Sequence, residues 1–158
     1  MYYQEYLTRV KENFTHTKEV IISNYNPTVM YEEFFKWKWF ATKLKIFSFV
    51  FYSEKVDEQQ ISHYSSSCLE YAIKNKKGLP IGWQNGIACY SILASENIGQ
   101  DAVKYATSRP SKHFSAFEIP VIIDLSNKDL LYYKGEVIWG AMYNSFLKNY
   151  LISNFGIK

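Results

Sequence analysis

Arginine is almost missing from this chain, with Arg9 and Arg109 the only two in 158 residues. Base-edge and bidentate phosphate recognition favour the guanidinium fork, and a net charge of +3 is mild. Both facts count against a dedicated nucleic-acid domain, which is usually more basic and has its cations clustered. Cysteine is as scarce, since Cys68 and Cys89 are too few for a disulfide framework. A cytoplasmic location with free thiols is the expectation. The two cysteines are not a close pair, and His16, His63 and His113 are scattered, so no metal is expected. There is no Gly-x-Gly-x-x-Gly, P-loop or Gly-x-Ser-x-Gly elbow. The common nucleotide and hydrolase signatures are thereby removed, and no cofactor is expected. No run approaches the roughly 18 apolar residues that span a bilayer. The opening MYYQEYLTRVKENF carries charges where a secretory signal has an apolar core, so no membrane partner is expected.

Aromatic residues are what the chain has in plenty: 14 Tyr, 11 Phe and 4 Trp. They crowd most densely in FFKWKWFATKLKIFSFVFY, residues 34–52, a stretch without Gly or Pro that reads as extended. Fully extended it would reach about 60 Å at about 3.3 Å per residue, against a radius of gyration of about 15 Å for a domain of this size. It must bend or turn. Side-chain parity locates the break, because Lys36 and Lys38 are even-numbered and Lys43 and Lys45 odd-numbered. A bulge near residues 41 and 42 would unite the four lysines with Phe34, Phe40, Phe47, Phe49 and Phe51 on one face. Phe35, Trp37, Trp39, Leu44, Ile46 and Val50 would then form the core face. A hairpin is the competing reading, although Ala-Thr-Lys lacks the Gly or Asn of two-residue turns. The lysine-bearing face could stack bases and meet phosphates. The alternative, adopted here, is that a helix covers its phenylalanines, since exposing so many would invite aggregation.

Elsewhere the periodicities are plainer. Tyr3, Tyr6, Leu7, Val10 and Phe14 predict a helix over residues 2–15, and residues 18–23 a short strand. Asp57 caps a helix with Gln60 at the capping-box position; its apolar face is Ile61, Tyr64, Cys68, Leu69, Ala72 and Ile73, and it stops at Gly78. Residues 87–94 read as a buried strand. Asn97 opens a short helix that Pro110 ends, residues 117–134 form a β-hairpin, and a last helix runs from Ile138 to residues 154–156. The order α, β, β, β, α, β, α, β, β, α predicts one α+β domain over residues 1–158, a mixed and largely antiparallel sheet with helices packed on it.

Chemistry could reside in four places. Arg109, Ser111, Lys112 and His113, within SRPSKHF, form a candidate anion-binding set. Glu118 and Asp124, six residues apart on one strand, would share a face, and metal-dependent phosphodiesterases use strand-borne carboxylates in this way, although Pro120 between them upsets parity. Cys89 is a weak candidate nucleophile if His63 or His113 stands beside it. Trp139, Tyr143, Phe146 and Tyr150 stripe the last helix, serving the core or, if exposed, a symmetric dimer. The leading expectation is a small cytoplasmic binding or interaction domain that meets a protein or small anionic ligand through an aromatic-rich surface, with a homodimer the simplest assembly. The second is a hydrolase-like enzyme acting on a phosphate- or carboxylate-bearing substrate. Nucleic-acid binding through Lys36, Lys38, Lys43 and Lys45 is the third.

Overall fold

Strand β4 (Asn85–Ser95) has apolar or small side chains on both of its faces, so both faces must be covered. The computed structural model describes residues 1–36, 43–76, 85–113, 116–136 and 141–157, and in it β4 is central to a seven-stranded mixed sheet. The elements run α1 (Tyr3–Lys11), β1 (Thr17–Glu19), β2 (Thr28–Phe35), β3 (Lys43–Tyr52), α2 (Glu58–Asn75), β4, α3 (Gln100–Thr107), β5 (Lys112–His113), β6 (Ala116–Asp124), β7 (Asp129–Tyr132) and α4 (Ala141–Phe155). Strand order is β1-β2-β3-β4-β6-β5, with β7 also paired to β6. The two central pairings, β3 with β4 and β4 with β6, are parallel, and the other four are antiparallel. This is the expected α+β architecture.

The parallel centre follows from connectivity, because β3 reaches β4 through α2 and β4 reaches β6 through α3, each a crossover long enough to return the chain. Both helices pack on one face of the sheet, over Phe47, Phe49, Cys89, Leu93 and Ile122. Helices α1 and α4, from opposite ends of the chain, cover the other, over Leu44, Ile46, Val50, Tyr90, Ile92 and Val121. Local chemistry sets the ends of these elements. The Asp57 carboxylate accepts from the Gln60 backbone N–H at 2.9 Å and so caps α2 as its sequence predicts. Pro120 lies in β6 between the stretch paired with β5 and the stretch paired with β7, where its missing N–H breaks no ladder on that edge.

The aromatic tract needs correction. Phe35 pairs with Lys43 and Thr28 with Val50, antiparallel, so the chain folds back on itself and no bulge continues a single ribbon. Residues 37–42, with Lys38 and the bend itself, lie outside the described residues. Reversal also separates the lysines. Phe34 faces α4, its ring 5.0 Å from that of Phe146, and the Lys36 ammonium stands 4.3 Å over the same Phe146 ring. Lys43 and Lys45 alternate with Leu44 and Ile46 and so face α2. The phenylalanines of β3 are covered by a helix, as expected: Phe47 and Phe49 are buried in the α2 layer, Phe49 against Tyr71 of α2. Ile73, assigned to the buried face of α2, is 38% exposed.

Two measurements test these layers. Phe49→Ala should lower stability by about 3–5 kcal/mol as a large buried ring is removed, whereas Phe35→Ala, half-exposed on the neighbouring strand, should change it by less than about 1 kcal/mol; equal urea midpoints would contradict the assignment of faces. Burial also pushes the phenols of Tyr6, Tyr64, Tyr90 and Tyr150 above their ordinary value, and Tyr3 up to about 12. Values raised by folding stabilise fully below the unfolded value and lose that contribution as pH rises through the folded one. In an alkaline titration these tyrosines should therefore ionise late, together with loss of helical circular dichroism. A single smooth phenolate transition, with folding intact throughout, would refute the packing described.

Candidate functional site

Three polar side chains are buried together on the α2 face of the sheet. Glu118 of β6 is side by side with Cys89 of β4 in the parallel ladder, and only 6% of it is exposed. Ser65, on the inward stripe of α2, donates its hydroxyl to Glu118 Oε1 at 2.8 Å. Ser91 of β4 donates in turn to the Ser65 oxygen, also at 2.8 Å. The other carboxylate oxygen, Oε2, meets His113 Nε2 at 2.6 Å. His113 ends β5, and its side chain is 35% exposed. A continuous chain of hydrogen bonds thus runs from the dry interior to the surface.

The β5–β6 reversal makes the contact. His113 pairs with Ala116, so its ring falls on the face of Ala116 and Glu118, one step along the strand from the carboxylate. A buried carboxylate is expensive unless its oxygens are satisfied, and here both are. With the carboxylate ionised it only accepts, so the imidazole would donate through Nε2 and turn Nδ1 away from Glu118. This order differs from a nucleophilic triad, in which imidazole stands between hydroxyl and carboxylate. Here the carboxylate stands between imidazole and hydroxyl, so neither serine is activated as a nucleophile.

The other candidates fall elsewhere. Lys112 pairs with Phe117, whose ring joins the opposite core, so Lys112 and His113 point to opposite sides of β5. Arg109, Ser111 and Lys112 are exposed. Asp124 lies at the far end of β6, where its carboxylate accepts from the backbone and side-chain nitrogens of Asn127, each at 2.8 Å, and closes the turn into β7. Glu118 and Asp124 therefore do not converge. Among the described residues no three His, Cys, Asp or Glu are arranged to hold a metal ion. Cys89 and Cys68 are buried, and burial pushes both thiols up, away from the thiolate that a nucleophile needs. His63 is engaged with the Tyr25 hydroxyl at 3.0 Å. Of the stripe on α4, Tyr150 is buried and Phe146 packs on Phe34, while Trp139 lies outside the described residues. No helix among the described residues is long and apolar enough to cross a membrane.

In the enzyme reading of the sequence His113 binds the anion and Glu118 or Asp124 assists; the structure brings His113 and Glu118 together but neither Arg109 nor Asp124, and the sequence assigns no role to Ser65 or Ser91. Their signal is position: a serine within the apolar stripe of α2 and another within an apolar strand must find partners once buried. Comparison with protein-family models, curated proteins and solved structures finds no match to this chain. The site is therefore read from its own chemistry. Native protein should resist a thiol reagent at both cysteines until it is unfolded in urea. Rapid labelling of Cys89 under native conditions would mean that the α2 layer opens.

Proposed function

We propose that this protein is a hydrolase-like enzyme acting on a phosphate- or carboxylate-bearing substrate at the edge of the sheet where β5 meets β6. His113 is its acid–base group and Glu118 the residue that positions the ring. One observation carries the reading: a partly exposed imidazole is held at 2.6 Å by a carboxylate whose other oxygen is already occupied. A carboxylate so pinned cannot swing away, so one ring nitrogen is committed and the other is free to activate a water molecule. The exposed Arg109, Ser111 and Lys112 lead into His113 along the chain, and the two cations favour anions near this edge without touching them. The reduced, buried thiols suit a cytoplasmic enzyme.

The interaction-domain reading draws less support, since Phe47, Phe49, Tyr64, Tyr90 and Phe155 are spent on the protein's own core. Nucleic-acid binding through a shared lysine face loses its premise, because Lys36 and Lys45 lie on opposite faces of the sheet.

The enzyme reading is tested with p-nitrophenyl phosphate, a phosphodiester analogue and a p-nitrophenyl carboxylic ester. His113→Asn should reduce turnover of the accepted substrate by about 10²- to 10⁴-fold, the usual share of general acid–base catalysis. Glu118→Gln should reduce kcat by less and leave KM near the wild-type value, as a positioning residue does. No turnover of any of the three above the protein-free rate, or His113→Asn with wild-type kcat, would refute the proposal.

A further inference from the structure

Strand β3 is longer than its neighbour β2, ten residues against eight, and the ladder between them runs from Phe35 opposite Lys43 to Thr28 opposite Val50. Pro27, which has no N–H, stands where β2 would have to continue. Phe51 and Tyr52 therefore extend past β2, held within the sheet by Leu93 and Ala94 of β4. Beside them lies an open groove of about 330 Å³. Its apolar lining is Phe51 and Tyr52 with Tyr3 and Leu7 of α1, and the rings of Tyr3 and Tyr52 are 5.1 Å apart, tilted by 35°. Lys11 of α1 and Glu19 of β1 line it too. These two are opposite in charge, yet they make no ion pair with each other: among the described residues the ion pairs are Lys74 with Glu70 and His113 with Glu118. Burial, and after it the charge of Glu19, pushes the Tyr3 phenol up to about 12, so this carboxylate acts on a ring that walls the groove.

We propose that the groove binds a free α-amino acid with an aromatic side chain, its ring against Tyr3 and Tyr52, its carboxylate toward Lys11 and its ammonium toward Glu19. The volume restricts the ligand to a single residue, since it lies at the low end of the roughly 300–1,000 Å³ of small-molecule sites. Rings favour a ring, because offset and tilted aromatic pairs attract beyond the area they bury. The charges select the zwitterion: an anion drawn to Lys11 also meets Glu19, and a cation drawn to Glu19 also meets Lys11. A peptide end offers only one of the two charges and is disfavoured on the same ground. The site is separate from the reading at His113 and stands whether or not that imidazole transfers a proton. Tyr52 shares its row with Ala94 and Ile123, at the opposite end of β6 from Ala116, the partner of His113.

The probe is L-phenylalanine, titrated into the protein while the ring resonances of Tyr3 and Tyr52 are followed by NMR. They should move saturably, and L-alanine should leave them in place. N-acetyl-L-phenylalanine lacks the ammonium and L-phenylalaninamide the carboxylate; each should bind about two- to fivefold more weakly, the share of one exposed ion pair. Glu19→Gln should abolish the loss on acetylation and keep the loss on amidation, and Lys11→Met should do the converse. Glu19 is exposed and Lys11 partly so, and both variants should fold. No saturable movement with L-phenylalanine, equal binding of L-alanine, or variants that rank the two derivatives as the wild type does would each overturn the proposal.

Discussion

The dryness of β4 governs the architecture. Residues Ile87, Ala88, Cys89, Tyr90, Ile92, Leu93 and Ala94 have almost no exposed surface, so the strand needs neighbours on both edges and a layer on both faces. Its edges are closed by β3 and β6. Because both crossovers, α2 and α3, lie on one face, the other is left for the ends of the chain to close. They are fastened there by long-range hydrogen bonds: Tyr6 donates to the carbonyl of Phe155 and Arg9 to that of Gly156, each at 3.1 Å, and the terminal ammonium donates to that of Leu125 at 3.3 Å. Contacts spanning nearly the whole sequence are slow to find.

The two layers treat their polar groups differently, and that difference is why function is sought on the α2 side. In the layer under α1 and α4, Tyr6, Tyr90 and Tyr150 each end their hydroxyl on a local acceptor: the carbonyls of Phe155 and Leu147 and the carboxylate of Glu32. Of these three hydroxyls, only that of Tyr150 meets a side chain at the rim, Glu32. In the layer under α2 the Tyr64 hydroxyl has no partner, but Ser91, Ser65 and Glu118 form a relay that emerges at a partly exposed imidazole. Structural hydrogen bonding alone does not require the second arrangement, since a serine or amide at position 118 would have satisfied Ser65 without burying a charge.

Much of the fold is legible in the sequence because it is written in local chemistry. The Asp57 cap, the β6–β7 hairpin, the buried run that becomes β4 and the periodic α4 depend on neighbours within a few residues. The aromatic tract misleads for a definite reason: a bulge and a reversal change side-chain phase alike, and only the pairing partner tells them apart. Phe35 opposite Lys43 settles it, and no one-dimensional pattern contains that fact. The site is half legible on the same grounds. His113 and Glu118 are five residues apart, but their meeting depends on the register of β5 against β6, and Ser65 arrives from α2, some fifty positions earlier.

Glu118 and Lys45 are the two buried charges on the α2 face, of opposite sign, and the sheet fixes how much they can do for each other. Lys45 is in register with Ile87, Ile87 with Ala116, and Glu118 lies two residues beyond. Two strand spacings and two residue steps place the backbones of the pair about 12 Å apart. At an effective dielectric of about 20 their attraction is about 1–2 kcal/mol, short of the several kcal/mol that each buried ion costs. Each charge must therefore be answered where it stands. Glu118 is answered twice over, by His113 and Ser65, while the Lys45 ammonium, which is not among the buried polar atoms left without a partner, keeps its contact with water at the end of a buried stem.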